Sequence, residues 1–272
     1  MQIKVLQVVL AILLAIVPAG IWGKIFYAKQ PEKKSVVIHL FVMGALSVTP
    51  LLAYKYLWKF FPWINAFLYA NTFKADMVGF QNVALIPINI IVTFMLVGVI
   101  EEVSKYFAVR NADEAGKSIS DYVEFFVIVG LGFAFIENII YFYNILVSQG
   151  TEAVFAPFLF RSMFSTLAHV MFSGICGYYY GIAKFAPIFM LEKHAAKKWT
   201  FVQKAGRMIG IKREFLFSEE KKIQGIIVAS ALHAMFNIFL EMGWTFMIVP
   251  FLTVGFIVLN KMLDLDKIMS RN

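Results

Sequence analysis

One cysteine, Cys176, occurs in 272 residues, so the chain can close no disulfide on itself. Charge is scarce as well. Only 15% of the residues are Asp, Glu, Lys or Arg, against about 25% in a soluble domain. Apolar–polar alternation of the strand type is missing, which argues against a membrane barrel. An internal repeat and a low-complexity linker are missing too. What fills the chain is apolar: 60% of residues are hydrophobic and 17% aromatic. Several runs reach the ~20 residues that a helix needs to cross a bilayer. The sequence therefore predicts an all-α fold, a polytopic transmembrane helical bundle of about seven spans plus interfacial segments. Residues 1–272 are expected to form a single membrane domain.

The predicted spans are 5–27, 36–57, 83–107, 122–145, 157–183, 223–240 and 244–260. The first is longer than a signal-peptide core and no A-x-A site follows it, so it is expected to stay. Pro87 falls in the first turns of the third, where a missing N–H costs least. The net charge of +8 lies between the spans. Its expected partners are the lipid bilayer and its anionic headgroups, not nucleic acid. Alternate span ends collect 20 of the 25 Lys and Arg, Lys105 and Arg110 among them. The positive-inside rule makes that side cytoplasmic and places the C-terminus there. Two stretches do not span. Residues 58–82 are rich in Trp, Phe and Tyr and suit an interfacial or re-entrant segment. The basic loop 186–222 carries Leu191, Trp199, Phe201 and Val202 among its lysines, as an amphipathic segment on the inner leaflet would.

The polar residues within the spans are few. The third holds Glu101, Glu102 and Lys105, the fourth Glu137 and Asn138, the fifth Arg161 and His169, the sixth His233 and Asn237. A charge at bilayer depth costs about 2.5–3.5 kcal/mol on insertion scales, so these groups must pair or face a wet cavity. Lys105 lies three and four residues from the two glutamates and reaches either. The alternative is that the span ends near Ile100 and leaves both as solvated helix-end charges. Glu137 is deep in its span by any boundary. Gly130 and Gly132 beside it let another helix approach. His233 and Asn237 share a helix face and suit a developing oxyanion. Arg161, near a span end, has the option of snorkelling to the interface.

Four motifs occur in order: E-E-x-x-K at 101–105, F-x-x-x-E-N at 133–138, Arg161 with His169, and H-x-x-x-N at 233–237. Together with GLGFAFIEN and the glycines 174, 177 and 181, they resemble the PrsW family of intramembrane proteases. That family is related to the CAAX prenyl proteases and the bacteriocin-immunity membrane proteins. The likeness covers roughly residues 98–240. It implies an endopeptidase of the bacterial cell membrane that cuts a membrane-tethered substrate, such as an anti-sigma factor. It also implies that Glu101 and Glu102 are the essential glutamate pair.

The expected mechanism needs no cofactor. Glu101 or Glu102, made more basic by apolar surroundings, activates a water. His233 and Asn237 stabilise the oxyanion, and Glu137 and His169 position the water or protonate the leaving amine. Lys105 holds the glutamate that does not react, with Asn138 and Arg161 in support. Zinc is the alternative, held by Glu101, Glu137, His169 and His233. No His-Glu-x-x-His spacing supports it. Two other classes use the same residues: an ion- or proton-coupled transporter, and a non-catalytic binder of a partner's transmembrane helix.

Overall fold

The structure, a computed structural model, describes residues 2–27, 34–80, 84–110, 115–185 and 210–269. Helix α1 is Gln2–Tyr27. Helices α2 (Lys34–Leu46) and α3 (Thr49–Leu57) make one broken rod. The break falls where Pro50 has no N–H to give and Ser47 turns its hydroxyl back to the Gly44 carbonyl, 2.6 Å away. A short helix α4 (Ala66–Ala70) and a hairpin of β1 (Met77–Phe80) and β2 (Ala84–Pro87) follow. Then come α5 (Ile88–Arg110) and α6 (Ile119–Ser148). Helix α7 (Phe155–Phe160) passes through a π-turn at Arg161–Ser165 into α8 (Thr166–Lys184). Helices α9 (Arg213–Glu241) and α10 (Ile248–Met269) complete the bundle.

Among the described residues, six stretches are long and apolar enough to cross a membrane: 4–25, 34–57, 119–148, 152–184, 213–241 and 245–264. Helix α5 has 23 residues, a spanning length, but carries Glu101, Glu102 and Lys105 in its second half. The chain is an all-α, multi-pass membrane protein.

Among the boundaries that differ from the sequence reading, three have a clear local reason. The third span begins at Ile88, not at 83, because 84–87 pair with 77–80 as strands. Pro87 closes β2 instead of opening the helix. A residue before proline avoids the helical region, so Ile86 is extended and the helix starts after the ring. The same helix runs to Arg110, and both glutamates are buried well inside it. They are therefore not solvated end charges. Helix α9 begins ten residues before the predicted 223. Residues 213–222 are helix formers, with Glu214 in the first turn and Lys222 bonded to Glu219 at 2.6 Å. The apolar residues Leu191, Trp199, Phe201 and Val202 of the basic loop lie outside the described residues. In 58–80 several aromatics are exposed, Trp63 at 71%.

Helix α6 is the axis of the bundle. Its start is fixed by Ser118, whose hydroxyl accepts the Asp121 N–H at 3.1 Å, while Asp121 accepts the Lys117 N–H at 2.7 Å. Helices α1 and α2 pack on one side of it and α8 on the other. Gly130 and Gly132 serve different neighbours. A Cβ on Gly130 would lie 2.6 Å from the Ser173 hydroxyl of α8, and one on Gly132 would meet the Phe41 carbonyl of α2. Helix α9 rests on α8 and on α5. There Gly98 brings the backbones together: its missing Cβ would sit 2.7 Å from the Ser230 carbonyl, and Ser230 Oγ donates to the Gly98 carbonyl at 3.3 Å. This contact sits one turn from Glu101 and Glu102 and sets the spacing of everything below. Gly98→Val should push α9 away and cost about 1–3 kcal/mol. The expected readout is a lower denaturation midpoint in detergent, with Gly23→Val, in open space, near wild type.

Candidate active site

The bundle encloses a continuous polar chain among apolar side chains. It starts on α5. Lys105, without any exposed surface, donates from Nζ to Glu102 Oε1 at 2.7 Å and contacts His169 Nδ1 at 3.0 Å. An ammonium only donates, so Nδ1 accepts and the His169 proton sits on Nε2. That Nε2–H donates to Glu137 Oε2 at 2.8 Å. The same oxygen takes Arg161 Nη2 at 2.7 Å. Arg161 Nε donates to Asn138 Oδ1 at 2.7 Å, and Asn138 Nδ2 donates to Thr166 Oγ1 at 3.3 Å. Thr166 returns its hydroxyl to the Arg161 carbonyl at 2.9 Å. From the other end, His233 donates Nδ1–H to Glu102 Oε1 at 2.9 Å. Its Nε2 lone pair is thereby turned toward Glu101 Oε2, 3.5 Å away.

Apolar rings fix these groups from outside. Lys105 Nζ lies 4.2 Å from the centre of the Phe133 ring, and Arg161 stacks over Tyr141 at 4.4 Å. The Phe172 ring stacks on His233 at 5.0 Å. The two imidazoles are 5.1 Å apart and nearly perpendicular.

Glu101 is the exception to this pairing. Its Oε2 is buried and accepts no hydrogen bond among the described residues. Three carboxylates, Glu101, Glu102 and Glu137, meet two basic side chains, Lys105 and Arg161. Glu102 and Glu137 take the cations, so Glu101 carries the unmatched charge. A lone buried carboxylate is costly enough that a proton or a cation must join it. Glu101, His169 and His233 each place one donor atom within 4.8 Å of the others. Two imidazoles and a carboxylate form a donor set typical of catalytic zinc, with room for a further ligand. The residues thus fit a metal, and Glu137 on the His169 ring is the carboxylate that such histidines commonly carry. His169 is already held at both nitrogens, so it would join a metal by releasing one partner.

The sequence reading gathered Glu101, Glu102, Lys105, Glu137, Asn138, His169 and His233, and the structure brings all seven together. Arg161 does not snorkel. It is buried and holds Glu137 and Asn138. The π-turn is the reason. Eight residues separate Arg161 from His169, which on an α-helix is about 80° of divergence. A π-turn absorbs one extra residue and reduces this to about 20°. Both side chains then reach α6. Asn237 is the residue left out. It lines a cavity of about 670 Å³ with Phe94, Tyr141, Phe160, Arg161 and Glu241, and it bonds to none of the cluster. Phe133 was named only within the F-x-x-x-E-N motif, and Thr166, Phe172 and Tyr141 were missed. Their only sequence signal is helical spacing from residues already chosen, such as Phe172 three after His169.

Because Lys105 is buried with Glu102, removing one partner strands the other. Lys105→Met should destabilise the protein by about 3–5 kcal/mol. Lys105→Met with Glu102→Gln should recover part of this. A double-mutant cycle on denaturation in detergent measures the difference.

The family model described as "PrsW family intramembrane metalloprotease" matches residues 32–261. Curated relatives named "Protease PrsW" match as well. That of Geobacillus kaustophilus is 29% identical over 168 residues, covering 59% of this chain and 61% of the relative. That of Oceanobacillus iheyensis is 28% identical, with 57% and 60% covered. That of Clostridioides difficile is 26% identical over 263 residues, with 94% and 89% covered. The chain thus spans about three-fifths of the length of the first two relatives and about nine-tenths of the third. No solved structure gives a significant match. With the family model covering all the helices that build the polar cluster, the chain belongs to the PrsW family of intramembrane metalloproteases.

Proposed function

We propose that this protein is an intramembrane endopeptidase that hydrolyses a peptide bond of a membrane-tethered protein. The observation that carries this is the buried, unpartnered oxygen of Glu101 facing the free lone pair of His233. Structural ion pairs are closed. This site is held open by partners that stop one atom short of it.

Each neighbour has a defined part. Lys105 binds Glu102 and leaves Glu101 alone. Glu102 fixes the His233 tautomer, so that Nε2 presents a lone pair. Glu137 and Arg161 hold His169 from the opposite side. Glu101 is then the base that takes a proton from a water hydrogen-bonded to both its Oε2 and His233 Nε2. The protonated carboxyl gives that proton to the leaving amine. Arg161 and Asn237, on the cavity wall, are positioned to donate to the substrate backbone. If the site works with a metal, Glu101, His169 and His233 hold it, and it supplies a Lewis acid that polarises the carbonyl and acidifies water. We place the charged ends 24–34, 105–117, 184–222 and 261–271 on the cytoplasmic side, by the positive-inside rule. Lys105, counted there from sequence, is buried in the bundle, and the asymmetry survives without it. A single-span anti-sigma factor is the substrate we put first.

The purified protein in vesicles should cut such substrates. Glu101→Gln and His233→Ala should each lower the rate by about 10²–10⁴-fold while the protein stays folded. A chelator separates the two forms of the site. Loss of cleavage, restored by zinc, identifies the metal form; unchanged cleavage identifies Glu101 acting alone. A protein that moves ions and never cuts, or binds a partner helix equally well after Glu101→Gln, is not a peptidase.

A further inference from the structure

The hairpin before α5 has one open edge and one blocked edge. Its register pairs Met77 with Pro87, Val78 with Ile86, Gly79 with Leu85 and Phe80 with Ala84. The Ile88 N–H donates to the Asp76 carbonyl at 2.9 Å, which fixes the alternation. Asp76–Ile88, Val78–Ile86 and Phe80–Ala84 are the hydrogen-bonded pairs. The N–H and C=O groups of Met77 and Gly79 therefore point away from β2. On the other edge, Leu85 and Pro87 point away from β1, and Pro87 has no N–H. Only β1 presents a complete row of donors and acceptors. Met77 is 54% and Val78 53% exposed, and Gly79 is exposed as well. Among the described residues, no other backbone pairs with this edge.

A peptidase inside a membrane has a problem that this edge answers. Peptide bonds of a transmembrane helix are closed off by their own hydrogen bonds. An unwound segment exposes N–H and C=O groups that must find partners where water is scarce. A strand edge supplies them in an extended geometry, at every second residue. The hairpin is also in the right place. It runs directly into α5, and Phe94 on the cavity wall lies seven residues, about 10 Å, beyond it. Glu101 lies fourteen residues beyond it, about 21 Å along the same helix. About six extended residues cover that distance.

We propose that the outer edge of β1 takes an extended segment of the membrane-tethered substrate as a third strand and feeds it past the cavity to Glu101. This rests on the reading of the site as a peptidase. The paired segment lies about six residues from the bond that is cut.

The test uses full-length protein in vesicles with a single-span substrate that it cleaves. Gly79→Pro removes an outward N–H while keeping the β1–β2 bonds, and should lower kcat/KM by about tenfold or more. Gly79→Ala, which keeps the N–H, and Leu85→Pro, on the blocked edge, should stay within about twofold of wild type. A second measurement does not depend on turnover. Cys176 is buried, so Gly79→Cys in the Glu101→Gln background offers one accessible thiol. It should form disulfides with substrate cysteines at alternate positions about six residues from the cut, and Leu85→Cys should not. If wild type cuts but Gly79→Pro cuts equally well and the cross-links show no alternation, strand docking is wrong. If wild type cuts nothing, the peptidase reading itself fails.

Discussion

The structure depends on one constraint: charge buried among apolar helices has to be matched. Lys105 and Glu102 meet this on one helix, at a spacing of three residues, and the remaining polar groups are arranged around them. Because Lys105 also reaches His169, and Glu102 reaches His233, the pair ties α5 to α8 and α9 at once. Glu137 and Arg161 tie α6 to α8 by the same logic. These contacts give position more than stability. A buried ion pair of this kind returns little net free energy over a packed apolar alternative, but breaking it is expensive. The bundle is thus held to one register around the site, with a single carboxylate oxygen left over.

Small residues make that arrangement reachable. Lipid tails are as apolar as leucine, so helices in a membrane associate by close packing and by polar contacts. Gly98 lets α9 come down onto α5, and Gly130 lets α8 come down onto α6. With side chains there, the imidazoles would stand too far from the carboxylates to bond them. Glycine positions and polar positions are therefore two parts of one pattern: the first set the separation, the second use it.

Much of this was legible in the chain. Long apolar runs announce spans, and a charged residue inside one must have a partner, so the seven clustered residues could be chosen without coordinates. Depth was harder. With the third span placed at 83–107, Glu101 fell toward its inner end and far from Glu137. The hairpin shortens that helix at its start and shifts its centre toward Glu101. Short β-pairing leaves almost no periodic trace, and ALIP reads as apolar helix until the proline is weighed against its predecessor. The fate of Arg161 was not legible either, since a π-turn has no composition of its own. Asn237 shows the reverse error. Four-residue spacing put it beside His233, but bonding depends on what stands opposite, and opposite Asn237 there is a cavity.

The π-turn has a consequence for how such a site is inherited. Its information lies in the path of the backbone, not in residue type: the turn takes up one surplus position between Phe160 and Thr166 and so keeps the guanidinium and the imidazole on a common face. The same residues wound as plain α-helix would leave a smooth, equally apolar rod that still crosses the bilayer. It would also swing Arg161 by roughly a quarter of a revolution, away from Glu137. Every substitution table would count such a chain as unchanged, yet its polar cluster would have lost a cation.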